Sequence, residues 1–174
     1  MLRSIWLLSV ATLSGAVALA DTSQFTTGPI IEDFGAAAKV ADERLNSSTQ
    51  FKVAYDVVQP AEPGQVSRRL ETAARFLNMH GAAGVPAENM KVAIVVHGGA
   101  HRDLLSKGAE GTENPNADLI AALVAAGVTI DLCGQTAAYY GVSQEDLLPG
   151  VTLSLSAMTS HALLQQDGYT LNPF

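Results

Sequence analysis

The fold this sequence predicts is an α/β domain, in three layers, with helices on both faces of a mostly parallel sheet of about five strands. Two observations carry that prediction. From Phe51 onward, short β-branched runs alternate with helical stretches of about a dozen residues, the pattern of parallel α/β units. Within it, Lys-Val-Ala-Ile-Val-Val-His, Lys91 to His97, is almost continuously apolar, as a strand buried on both faces must be.

In chain order, Met1-Leu2-Arg3, the apolar run from Ile5 to Val17 and Ala18-Leu19-Ala20 read as a secretory signal peptide over 1–20, cleaved after Ala20. The protein is therefore expected in the periplasm or secreted. No other stretch approaches the ~20 apolar residues of a membrane helix, so no membrane contact is expected after cleavage. Residues 21–50 mix Thr, Gly, Pro, Ser and charge with a few apolar side chains, and predict an arm of little regular structure that packs on the domain or on a neighbouring subunit.

The domain proper is expected over 51–174. Phe51 to Val58 predicts a strand, broken by Pro60 to Gly64. From Gln65 to His80, Val66, Leu70, Ala73, Ala74 and Leu77 recur at helical spacing, with Gly81 as the stop. After the strand at 91–97, Gly98-Gly99 ends regular structure and His101 to Lys107 suits a short helix. Pro115 fits the first position of a helix that presents Leu119, Ile120, Leu123 and Val124 and stops at Gly127. Val128, Ile130 and Leu132 alternate with Thr129 and Asp131, a strand ended by Cys133-Gly134. Gln135 to Ala138 are compatible with a first helical turn, and Ser143 to Leu148 contains a weak capping box. Val151 to Leu155 predicts a strand, Ser156 to Gln166 a last helix, and Tyr169 to Leu171 a fifth strand.

Charge narrows the partners. The formal net charge is −7, and −8 without Arg3, with no basic stripe, so no nucleic acid partner is expected. One cysteine cannot make an internal disulfide. Cys133 is then a buried small hydrophobe, a reactive thiol, a metal ligand or half of an intermolecular bridge. Its place at a strand's carboxyl end before a helix start is one where unpaired backbone N–H groups stabilise a thiolate, while a lone cysteine in general is more often inert packing.

His97 and His101 flank Gly98-Gly99-Ala100 at the same predicted sheet edge, with His161 in the last helix near it. They could supply a cation beside the thiol, and His97 and His101 are the candidates for assisting it. Their spacing fits no zinc signature, and no metal or cofactor is expected. Gly98, Gly99, Gly134, Gln135 and Tyr139 would line a small-ligand crevice, although Tyr139 and Tyr140 equally suit packing. No Gly-x-Ser-x-Gly, Gly-x-Gly-x-x-Gly or Walker sequence occurs, which argues against a hydrolase or nucleotide enzyme.

The His97-Gly98-Gly99 turn, the Asn114-Pro115 helix start, Leu132-Cys133-Gly134-Gln135, and the region from Tyr139-Tyr140-Gly141-Val142 to Ser156-Ala157-Met158-Thr159 together resemble the DsrE/DsrF-like family, and most closely its exported branch. The resemblance covers roughly residues 50–174. It implies a five-stranded parallel sheet in an α/β/α domain, assembly into trimers or hexamers, and persulfide transfer through a cysteine at the position of Cys133. On that basis the expectation is an exported homo-oligomer that moves sulfur between a donor and an acceptor, protein or small thiol. The contrasting expectation is a non-catalytic homo-oligomeric module that binds a small ligand or metal in the crevice around Gly98 and Cys133.

Overall fold

The computed structural model describes residues 21–108 and 111–173; the leader expected at 1–20 lies outside them. Phe25–Thr26 (β1) and Ala37–Ala38 (β2) form a small antiparallel pair. The domain is built on Phe51–Val57 (β3), Met90–Val96 (β4), Thr129–Cys133 (β5), Val151–Ser154 (β6) and Thr170–Asn172 (β7), a five-stranded sheet in the order β6-β5-β4-β3-β7 with every neighbouring pair parallel. The helices are Arg68–Ala82 (α1), Ala117–Ala125 (α2), Gly134–Tyr140 (α3) and Ala157–Gln166 (α4).

The strand order dictates where the helices go. From β3 to β6 each step moves one place toward the same edge, so right-handed crossovers keep α1, α2 and α3 on one face. The chain then runs from β6 at one edge to β7 at the other, and α4 crosses the opposite face. Adjacent residues of β3 show the division. The Tyr55 ring lies edge-on to Phe76 of α1, centroids 6.3 Å apart, whereas Asp56 faces α4.

The two faces differ in chemistry. Val53, Tyr55, Val57, Val92, Ile94, Val96, Ile130 and Leu132 bury against Leu70, Leu77, Leu119 and Leu123 and make the core. The α4 face carries Ala54, Asp56, Ala93, Val95 and Asp131 instead. There Asp131 accepts hydrogen bonds from Thr152 Oγ1 at 2.6 Å and from Ser160 Oγ of α4 at 3.1 Å. Small residues let α4 lie close, and polar pairs orient it. Its outer side chains Met158 and Leu163 remain 80% and 60% exposed.

Some element boundaries differ from the sequence expectation for identifiable reasons. Gly81 does not stop α1; it lies inside the helix, where the missing Cβ leaves room for Ile30 and Pro29 of the arm. Gly84, at φ 91°, takes the turn that follows. Pro115 lies ahead of α2 rather than in it, because Asn116 is the N-cap residue and its side chain accepts from the Ser67 N–H at 2.7 Å. The short helix placed at 101–107 is a 3₁₀ turn over Gly98–Leu104, beginning directly at the glycine pair. The segment 21–50 runs along α1, where buried Asn78 ties it down: its Oδ1 accepts from the N–H groups of Ile30 and Ile31, and its Nδ2 donates to the carbonyls of Ile31 and Phe34, all within 3.1 Å. The Gly28–Pro29 bond within this segment is cis.

Candidate functional site

Cys133 is the last residue of β5 and the residue that caps α3, so its sulfur sits where a strand hands over to a helix. The handover is tight. A Cβ on Gly134 would collide with the Ser154 carbonyl and lie 3.1 Å from that of Leu155, so only glycine lets α3 start this close to the end of β6. The same closeness brings the start of α4 to the thiol. Burial by itself pushes the Cys133 thiol up, but the N–H groups of Thr136 and Ala157, the Thr136 hydroxyl and the Gln135 N–H together hold it below the usual thiol range. Cys133 is 6% exposed, so these N–H groups act on a sulfur largely shielded from water.

The parallel register places His97 beside it. Val96 pairs with Leu132, and the next residues, His97 and Cys133, continue alongside on the α4 face. The backbone after His97 is fixed by the Gly98 N–H, which donates to Thr136 Oγ1 at 3.1 Å. Gly98 has φ 56°, a conformation that favours glycine, and an added Cβ would touch Val58 at 3.0 Å.

Cys133, His97, Gln135, Thr136, Ser156, Met158, His161 and Asp56 are among the residues that line one crevice of about 290 Å³. Asp56 bridges the two imidazoles: its Oδ1 is 2.8 Å from His161 Nε2 and 3.1 Å from His97 Nε2. Ser156 caps α4, accepting from the Thr159 N–H at 3.0 Å, and Gln135 Nε2 donates to the Leu155 carbonyl at 3.2 Å. Clefts of about 500 Å³ beside α4 and about 470 Å³ beside the start of α1 are larger but contain neither cysteine nor histidine.

Of the residues proposed from sequence, Cys133, His97 and Gln135 meet in the crevice, whereas Gly98 and Gly134 do not line it and only hold the backbone next to His97 and Cys133. His101 is not there. Its ring stacks on Tyr140 with centroids 4.0 Å apart, and its Nδ1 pairs with the Gly98 carbonyl at 2.9 Å, because the 3₁₀ turn carries it back under α3. Gly99 packs toward Pro60, and Tyr139 is 81% exposed, edge-on to Tyr140, away from the thiol. Asp56 was not among the proposed site residues, and His161 was expected only near the same edge, as a possible source of a cation. The sequence does hold a signal for Asp56, a lone carboxylate within the apolar alternation of Phe51 to Val58, and its partner lies 105 residues away. Among the described residues, no group of three or more His, Cys, Asp or Glu side chains is arranged to hold a metal ion.

A parallel five-stranded α/β domain that presents a shielded thiol at the meeting of a strand end and two helix starts defines a class of single-cysteine α/β proteins. The family model of the DsrE/DsrF-like family matches residues 52–173, and the chain belongs to that family. Two solved structures share the fold. A protein of unknown function from Methanobacterium thermoautotrophicum matches with 18% identity and a TM-score of 0.57, over 72% of this chain and 100% of that one. The ychN protein of E. coli matches with 16% identity and a TM-score of 0.54, over the same shares. No curated protein matches the chain.

Proposed function

We propose that this protein is a sulfur carrier that accepts sulfane sulfur on Cys133 as a persulfide and passes it to a thiol acceptor. The observation that carries this reading is the set of N–H and O–H donors from α3 and the start of α4 around one sulfur, which favours the anionic, nucleophilic form of the thiol. Membership of the DsrE/DsrF-like family supports sulfur-relay chemistry at the level of the family. In the charging step the thiolate attacks the outer sulfur of a donor RS–SH. The S–S bond of the donor breaks, the new bond joins that sulfur to Cys133, and RS⁻ leaves with the bonding pair. Sulfur moves without an external oxidant or reductant.

The carrier is proposed to act outside the cytoplasm, following the leader expected at 1–20, and to work as a homo-oligomer. The exposed apolar side chains Leu155, Met158 and Leu163 on and before α4 support self-association. Mass spectrometry of protein treated with polysulfide tests the carrier directly. A gain of one sulfur on the peptide that contains Cys133, absent in Cys133→Ser, is expected. A thiol that stays unmodified while wild-type protein is folded overturns the reading.

A further inference from the structure

Resting on that reading, we propose that Asp56 and His161 are positioning residues for His97: His161 anchors the Asp56 carboxylate, the carboxylate fixes the His97 ring, and His97 delivers the proton to the thiolate that leaves when Cys133 is charged.

The assignment of roles follows from which nitrogens are engaged. Both imidazoles point Nε2 at the same carboxylate, His161 at 2.8 Å to Oδ1 and His97 at 3.1 and 3.3 Å to its two oxygens. An oxygen of a carboxylate only accepts, so each ring keeps a proton on Nε2. His161 Nδ1 is buried with no hydrogen-bond partner among the described residues. A proton there would be a buried donor without an acceptor. His161 is thus suited to a fixed N–H donor.

His97 differs. Its side chain is 31% exposed against 17% for His161, and with Nε2 committed to Asp56, Nδ1 is the nitrogen left for substrate. A carboxylate behind an imidazole selects the tautomer and stabilises the imidazolium when the far nitrogen takes a proton. The ionisable side chains lining this crevice are Asp56 from β3, His97 after β4, Cys133 from β5 and His161 from α4, and α3 contributes none.

The proton balance closes within the site. His97, protonated on Nδ1, gives that proton to RS⁻ and releases RSH. The new Cys133 persulfide then ionises and returns a proton to His97. The sum is RS–SH and Cys133 thiolate in, RSH and Cys133 persulfide anion out.

The test is the rate at which small organic persulfides charge Cys133, followed by mass spectrometry across a series of leaving thiols of rising basicity. Iodoacetamide alkylation, whose iodide leaving group needs no proton, serves as the control. Asp56→Asn is expected to slow charging by about 10²-fold with basic leaving thiols and to steepen the dependence on their basicity, while alkylation is unchanged. Asp56→Glu is expected to restore part of the rate. His161→Gln, which keeps an N–H donor toward the carboxylate, is expected to charge faster than His161→Leu, which is expected to behave like Asp56→Asn. Equal charging of Asp56→Asn and wild type, or a parallel loss of charging and alkylation in the variants, overturns the proposal while leaving Cys133 as carrier. Wild-type protein that fails to charge overturns the carrier itself.

Discussion

At the scale of single residues, the behaviour of Cys133 is set by a competition that its neighbours win. Burial raises its pKa, and hydrogen bonds from Thr136, Ala157 and Gln135 lower it further than burial raises it. Its alkylation rate should therefore reach a plateau below the pH at which a free thiol, with a pKa of about 8.5, would do so. A rate that climbs with the free-thiol curve would count against an activated sulfur. The same shift ties stability to pH. Because the folded value is depressed, ionised Cys133 stabilises the fold fully above the unfolded pKa, and that contribution is lost as pH falls through the folded value. The Tm difference between wild type and Cys133→Ser should accordingly grow toward alkaline pH. Cys133 and His97 were legible in the sequence because each closes an apolar strand. Asp56 and His161 were not recognised as one unit, since their pairing depends on α4 crossing the far face. His101 was misplaced because residue spacing says nothing about a 3₁₀ turn that folds it against Tyr140.

At the scale of elements, α1 does two jobs with two faces. Leu70, Ala73, Ala74 and Leu77 fill the core, while Asn78 holds the arm through its amide. Asn78→Ala would leave two N–H groups and the facing carbonyls without their partners, at a cost of about 2–3 kcal/mol. Limited proteolysis should then cut within 28–36 at protease levels that leave wild type intact; an equally resistant variant would show that the arm is held by Ile31 and Phe34 alone. Periodicity made every major strand and helix visible in advance. Boundaries slipped where a tertiary contact overrode local preference, as at Gly81 beneath Ile30 and at Asn116 bound to Ser67.

At the scale of the whole molecule, the sheet is covered unequally. Helices α1, α2 and α3 bury one face, and α4 covers the other with Leu155, Met158 and Leu163 left in solvent. If these side chains join copies of the chain, Leu155→Glu combined with Met158→Glu should shift light-scattering mass from oligomer to monomer. A wild-type monomer at micromolar concentration would remove the oligomer from the picture. The return of the chain from β6 to β7 also governs when the site comes into being. β7 pairs with β3 across more than a hundred residues of sequence, Val53 opposite Thr170, and α4 brings both the Ala157 N–H and His161. A growing chain that has not yet produced α4 lacks the Ala157 N–H and His161 beside Cys133. If Cys133 is the proposed sulfur carrier, its activated thiol exists only once α4 is in place, and a chain cut short before α4 would lack it.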